Sequence, residues 1–380
     1  MATYAMRSED SRGRRYPERP HPYRSDYQRD RDRIIHTKAF RRLEKKTQVF
    51  APSYSDHFRN RLTHTIEVAQ ITRTIGRALG LNSDLCEVLA LSHDIGHPPF
   101  SHEGERVLDQ IMKTHGSGFE HNLHALRIVE DFEEKYPAFR GLNLTFEVRE
   151  GIVKHSRDYQ SGEVAYIDLS EYRLSERPPM EAQLIDIADE IAYNCADLDD
   201  GFLSGLLSLD LLVREVELFR ILWEEVGIEF PSSPEKLRFN EVIRRMIDFL
   251  VSRLIHFTRR TIEDFDLWSV EDVRSSSCRV VRFDEEAGGM NRQLKQFLRN
   301  HLYNHPVLKQ ALDTVEMELS GLFDYYLRFP ERLPSRHRER IEILGLPRVV
   351  CDYIAGMTDS YARDRYNETC ASRCGQTSIS

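Results

Sequence analysis

From residue 29 to residue 362 apolar side chains recur almost without a break at the spacing of an α-helix face, which leaves little chain over for a sheet. The periodic segments are 29–46, 61–79, 83–93, 103–113, 121–135, 146–155, 180–199, 209–226, 235–258, 291–299, 306–328 and 335–362. Only Val164-Ala165-Tyr166-Ile167 and Arg279-Val280-Val281-Arg282-Phe283 read as short β runs, the second suited to a small peripheral hairpin. There is no internal repeat and no heptad run. The expected fold class is all-α (mainly α), with a helical core over residues 29–200 and a helical extension over 201–365 that completes the pocket and offers an oligomer surface. Residues 1–28 hold six arginines before Asp26, with Pro17, Pro20 and Pro22 against helix formation, so they are expected to form a flexible Arg/Pro-rich tail; 366–380 form a C-terminal tail.

The net charge of −9 argues against a dedicated duplex-DNA binder and makes any polyphosphate site a basic island in an acidic protein. The arginines of the first segment leave room for an anionic partner, although a solvated tail is the plainer reading. The six cysteines, at 86, 195, 278, 351, 370 and 374, form no Cys-x-x-Cys pair and are expected to be reduced. The start of the chain lacks the apolar core of a secretory signal, and no apolar run approaches the roughly 20 residues that span a bilayer. A soluble, cytoplasmic protein without membrane contact is the expectation.

His93-Asp94-Ile95-Gly96-His97-Pro98-Pro99-Phe100-Ser101-His102-Glu103-Gly104-Glu105 concentrates three imidazoles and three carboxylates in thirteen residues, bent by two prolines and two glycines. Imidazole nitrogen with carboxylate oxygen is the ligand set of a borderline divalent metal, and the remaining His and Glu are proton carriers near neutral pH. A metal-dependent hydrolase is implied. Other ligands must come from elsewhere, because neighbours on a helix diverge by about 100°. His64 falls near the start of the 61–79 helix. On the 181–199 helix Asp186, Asp189, Tyr193 and Asp197 form a polar stripe beside the apolar face Leu184, Ala188, Ile191 and Cys195, as a lined cavity requires. His102 and Glu105 stand at i, i+3, so the carboxylate can orient the imidazole. His97 and His102 can alternatively be read as caps around the Pro98-Pro99 turn. Arg61, three residues before His64, can clamp a phosphate bidentately. Arg41, Arg42, Lys45 and Lys46 read equally as a solvated or interface charge run, while Lys154, Arg244 and Arg245 are weaker phosphate candidates, and His115, His124 and His155 read as surface or packing residues.

The order His64, His93-Asp94, then a distant Asp189 resembles the HD-domain phosphohydrolase superfamily. Phe40-Arg41-Arg42-Leu43 with Thr47-Gln48-Val49-Phe50, Arg61-Leu62-Thr63-His64, the His93 to Glu105 stretch, Asp189-Glu190-Ile191-Ala192-Tyr193 and Gly356-Met357-Thr358-Asp359 resemble one branch of it, the deoxyguanosinetriphosphate triphosphohydrolase-like (dNTP triphosphohydrolase) family, over roughly residues 29 to 365. The resemblance implies an HD helical core and one divalent ion per site on His64, His93, Asp94 and Asp189, with Mg²⁺ or Mn²⁺ first and Fe, Co or Ni as further candidates. It also implies catalytic roles for His97, His102, Glu105 and His121, with His102 or His121 protonating the leaving oxygen. For the substrate it implies Tyr193 under the deoxyribose, Asp197 on the 3′-hydroxyl and Gln48 on the nucleoside. Glu190 departs from relatives that carry a lysine there.

The implied reaction is hydrolysis of a dNTP to deoxynucleoside and inorganic triphosphate by water attack at the α-phosphorus, possible dNTP activation and homo-oligomers coming with the family. Two other readings stay open: a different HD phosphohydrolase, such as a nucleotidase or phosphodiesterase, and a nucleotide-sensing or single-strand-binding regulator. Alarmone hydrolases resemble His-Asp-x-x-Glu-Asp and cyclic dinucleotide esterases carry Gly-Tyr-Pro, whereas this chain has Ile95-Gly96-His97-Pro98-Pro99-Phe100.

Overall fold

The structure, a computed structural model, describes residues 1–50, 57–160, 162–164 and 166–371, and these form helices joined by turns and irregular segments, with no strand among them. The first half contributes α1 (Asp26–Ile35), α2 (Lys38–Arg42), α3 (Arg61–Ala78), α4 (Ser83–Ser92), α5 (Ser101–Thr114), α6 (His121–Arg127), α7 (Phe146–Val153) and α8 (Met180–Leu203). The second contributes α9 (Leu209–Glu215), α10 (Glu217–Glu229), α11 (Glu235–Asp264), α12 (Val270–Ser275), α13 (Glu285–Leu298), α14 (Pro306–Leu312), α15 (Val315–Arg328), α16 (Ser335–Arg338), α17 (Ile341–Leu344), α18 (Leu346–Ala355) and α19 (Asp359–Tyr366). Single π turns extend α6 over Ile128–Phe132 and α13 over Arg299–Tyr303. Among the described residues no helix is long and apolar enough to cross a membrane.

Local chemistry sets the boundaries. Asn60 Oδ1 accepts from Thr63 N at 3.0 Å while Thr63 Oγ1 accepts from Asn60 N at 3.1 Å, a capping box that starts α3 so that Arg61 and His64 are both buried. The 29–46 periodicity breaks at His36 and Thr37, where the Thr37 hydroxyl caps α2 through Phe40 N at 3.0 Å.

Two apolar cores hold the helices. The larger joins α1, α3, α4, α7 and α8 to α10, α11 and α13. The smaller packs Val107, Leu108 and Met112 of α5 against Leu319, Leu322 and Phe323 of α15 and Val350, Cys351 and Ile354 of α18. Each such fully buried side chain is worth about 1.5–3 kcal/mol, so α5, which begins at the His-rich turn, is fixed by the C-terminal helices.

Two expectations fail. Residues 1–28 are not a flexible tail: Ala5 and Met6 are buried, Met6 N donates to Glu181 Oε1 at 3.0 Å, and Asn82 Nδ2 donates to Met6 O at 2.8 Å. Three of the six arginines that suggested an anionic partner are paired within the chain, Arg14 on Asp26 and Asp30, Arg15 on Glu130 and Glu171, and Arg24 on Asp32. The second β run is irregular chain, because one side chain replaces a partner strand: Gln183 Oε1 accepts from Val280 N at 2.7 Å and Val281 N at 3.5 Å. The first run, around Ala165, lies partly outside the described residues, as does most of the C-terminal tail.

Candidate active site

Three helices deliver the proposed metal ligands. His64 lies in the first turn of α3, His93 is the C-cap of α4 with Asp94 next in the turn, and Asp189 sits midway along α8. The ligand atoms of His64, His93 and Asp189 lie within 4.8 Å of one another. His64 Nε2 is 2.8 Å from Asp189 Oδ1, while His93 Nε2 is 3.7 Å from the same oxygen and 3.5 Å from Asp94 Oδ2. His93 Nδ1 is 2.7 Å from the Ala90 carbonyl, which can only accept, so Nδ1 carries the proton and Nε2 presents its lone pair. That nitrogen is buried and has no hydrogen-bond partner, as expected of a donor atom awaiting a cation.

The electrostatics suit a divalent ion. Burial disfavours charge on Asp94, but Arg61, His93 and His97 outweigh it and hold the carboxyl well below the usual range. Asp189 is likewise opposed by burial and lowered by His64 and His93. Burial lowers His93 toward the neutral ligand form. Arg61 gives Nη1 to Asp94 Oδ2 at 2.7 Å and Nη2 to Ser101 Oγ at 2.7 Å, so its cation is fixed at the edge of the cluster.

A second cluster adjoins the first through His97. Its Nε2 stands 3.1 Å from Asp94 Oδ1, and its ring stacks on His121 with centroids 4.0 Å apart at 16°. Glu105 Oε1 accepts from His121 N and Nδ1, each at 2.9 Å, whereas His102 Nδ1 is 3.9 Å from Glu105 Oε2. The i, i+3 pair expected from sequence is therefore looser than the contact between Glu105 and His121. The cause is that His102 points to solvent, its side chain 82% exposed. Gly96 makes this assembly possible: a Cβ there would come within 2.0 Å of the His121 carbonyl and 2.5 Å of Ala125 N, so only glycine lets the turn lie against α6.

The turn itself is strained and pinned. Phe100 and Ser101 have φ of 64° and 58°, and Phe100 N donates to Asp359 Oδ1 at 2.9 Å. The other oxygen of Asp359 accepts from Thr47 N at 2.9 Å and from the Thr47 hydroxyl. Gln48 follows, its Oε1 buried without a hydrogen-bond partner among the described residues.

Along α8 the polar stripe continues to Tyr193 and Asp197. Asp197 is buried, pushed up to about 7 by that burial, and accepts from Tyr303 Oη at 2.5 Å. Lys295 Nζ lies 5.6 Å from the Tyr193 ring centroid and 3.4 Å from Glu190 Oε1. Tyr303 and Lys295 were missed in the sequence. Their eight-residue separation, which places them on one helix face, was the available signal.

Other residues are reassigned. Lys154 is not free for a phosphate: its Nζ is held by Glu150 Oε1 and the Arg173 and Glu176 carbonyls at 2.8–2.9 Å. Arg244 and Arg245 pair with Glu241, and Arg245 also with Glu229. His155 is no surface residue; it is buried, with Nδ1 2.8 Å from Asp186 Oδ1 and its ring 5.4 Å from that of His93. His124 is buried too, whereas His115 is exposed.

Residues 61–194 match the HD domain and residues 281–368 the Phosphohydrolase-associated domain. The chain is 45% identical over 366 residues to a Geobacter metallireducens protein named Deoxyguanosinetriphosphate triphosphohydrolase-like protein, covering 96% of this chain and 94% of that one. Proteins of the same name from Leptospira interrogans serogroup Icterohaemorrhagiae serovar Lai (44% over 370 residues, 96% and 95% covered) and Thiobacillus denitrificans (45% over 367 residues, 95% of each) are similar to it. With HD-domain helices, a mixed histidine and aspartate cluster that could hold a divalent metal, and this likeness across nearly its whole length, the chain belongs to the deoxyguanosinetriphosphate triphosphohydrolase-like family of HD-domain phosphohydrolases.

Proposed function

We propose that the protein hydrolyses deoxynucleoside triphosphates to the deoxynucleoside and inorganic triphosphate, using Mg²⁺ or Mn²⁺. The observation that supports this reading is the continuous path of contacts from Asp94 through His97 to His121 and Glu105, side chains suited to acid/base work next to side chains suited to hold a metal. An ion on His64, His93, Asp94 and Asp189 would polarise the phosphorus, orient water and offset developing charge. A water oxygen bonds to the α-phosphorus as the bond from phosphorus to the 5′-oxygen breaks. The 5′-oxygen is a poor leaving group and takes a proton from the His102/His121 pair that flanks Glu105, and the proton that the attacking water loses passes to solvent, from which the histidine is reprotonated. Glu105 holds His121 in place through two bonds to one oxygen. Arg61 supplies a fixed positive charge for the triphosphate, and Tyr193, with Asp197 and Tyr303, receives the sugar.

The test is product analysis: the protein with each dNTP, each NTP and dNTP mixtures in Mg²⁺ or Mn²⁺, resolved by ion exchange. The expected result is deoxynucleoside plus intact triphosphate, absent with chelator and in Asp94→Ala. Monophosphate plus pyrophosphate would move the cleaved bond, and nucleotide binding without turnover under every mixture would replace the enzyme by a sensor.

A further inference from the structure

The turn after α4 and the first turns of α5 bring together three metal-ligating side chains other than His64, His93 and Asp189. One ring nitrogen of His97, one of His102 and one carboxylate oxygen of Glu105 lie within 4.8 Å of one another. His97 precedes the Pro98-Pro99 bend, and His102 and Glu105 stand at i, i+3 on α5, so nine residues of local chain supply the whole set.

The bonds around the cluster leave its ligand atoms available. His97 Nε2 stands 3.1 Å from Asp94 Oδ1, and a carboxylate only accepts, so Nε2 carries the ring proton and Nδ1 the lone pair. His97 is only 3% exposed, and its buried Nδ1 has no hydrogen-bond partner. Glu105 Oε1 anchors His121 N and Nδ1, each at 2.9 Å, while Oε2 is 3.1 Å from that Nδ1 and 3.9 Å from His102 Nδ1. A tetrahedral zinc ion needs ligand atoms about 3.4 Å apart. His102, its side chain 82% exposed, can turn through the difference without unpacking the core. Two imidazoles and one carboxylate, with a fourth position open to water, suit zinc and its transition-metal neighbours and discriminate against magnesium, which takes oxygen ligands.

We propose that His97, His102 and Glu105 form a second cation site, selective for an imidazole-preferring divalent ion such as Zn²⁺, and that the ion bound there inhibits the protein. Arg61, 2.7 Å from Asp94, opposes a further positive charge nearby, so this site is weaker than the first and fills at higher zinc. The ion takes the lone pairs of both imidazoles, which removes His102 as a proton carrier, and it competes with His121 for Glu105. Binding stands on the geometry of the cluster, whereas inhibition rests on the proposed hydrolysis.

The test follows carbethoxylation of His102 by diethyl pyrocarbonate, read by mass spectrometry on full-length protein loaded with Mn²⁺. Zn²⁺ is expected to slow modification of His102 at least ten-fold and to leave exposed His115 unchanged, while added Mg²⁺ protects neither. Zinc counted per chain after equilibrium dialysis should drop by one in His102→Ala, a change at an exposed side chain that the fold tolerates. Turnover of a dNTP should fall in step with the protection of His102. Protection in a protein that turns over no dNTP would support the cation site and retire the proposed reaction. Unprotected His102 at saturating Zn²⁺, or an unchanged zinc count in His102→Ala, would overturn the site, and full turnover with His102 protected would overturn the inhibition.

Discussion

Asp359→Ala removes one carboxylate that ties both ends of the site together. Asp359 is buried, accepts Phe100 N on one oxygen, and accepts Thr47 N and its hydroxyl on the other. Leaving two buried backbone N–H groups without acceptors costs about 1–3 kcal/mol each. Phe100, at φ 64°, holds a conformation that costs about 1–3 kcal/mol for a residue with a side chain, and it keeps that conformation only while its surroundings enforce it. The expected destabilisation is therefore about 4 kcal/mol, with relaxation of the turn returning part of the strain. A shift of the turn by about 1 Å would also misplace His97 and His102, worth about 100-fold in turnover. Asp359→Asn keeps an acceptor for one loop but turns an amide against the other, so a loss of about 1–2 kcal/mol is expected. Urea unfolding gives the stabilities, and ion-exchange product analysis gives the rate at a temperature where each variant is folded. An Asp359→Ala protein within about 1 kcal/mol of the parent, with undiminished turnover, would refute the pinning argument.

Glu181 is buried and pushed up to about 7 from 4.5, so its stabilising contribution is complete below the unfolded value and is lost as pH rises through about 7. Glu181→Gln, neutral throughout, should gain roughly 3 kcal/mol on the parent between pH 4.5 and 8.5 in urea titrations; a constant gap would contradict this. Gly96→Ala places a Cβ 2.0 Å from the His121 carbonyl, and turnover should drop about 100-fold with a lowered Tm; a fully active variant would show that α6 can yield. Tyr303→Phe deletes the hydroxyl on Asp197, and kcat/KM for a dNTP should fall by about 1–3 kcal/mol equivalent, with far less loss for a 3′-deoxy analogue. Equal losses on both substrates would separate Tyr303 from sugar recognition.

The helices were legible because each buries a stripe at helical spacing, and that signal survives without tertiary knowledge. Breaks were not: the apolar stripe runs on across Val216, where α9 gives way to α10, and across Asp313 and Thr314 between α14 and α15. Val280 and Val281 read as strand because β-branched residues suit burial in either setting, and the glutamine that serves their N–H groups is 97 and 98 residues away. The first segment misled for a related reason, since the carboxylates that pair Arg14 and Arg15, Asp30 and Glu171, lie outside it. At the site, adjacency made His93 and Asp94 plain, and the imidazole and carboxylate types pointed to a cation. The preference of Glu105 for His121 over His102 depends on where α6 docks, which no local spacing encodes. The burial of His155 beside His93 is equally non-local.

The bonds of Asp359 span 259 residues to Phe100 and 312 to Thr47, which bears on the order in which the molecule acquires its chemistry. Contacts of such separation close late, after the local helices exist. During synthesis His64, His93, Asp94 and Asp189 are all outside the ribosome long before α19 has been made. A nascent chain can thus own the proposed ligand set while the turn from Phe100 to Ser101 is still free to relax out of its left-handed geometry. Activity should switch on as a last event of folding, and C-terminal truncations should sequester metal without turning over substrate.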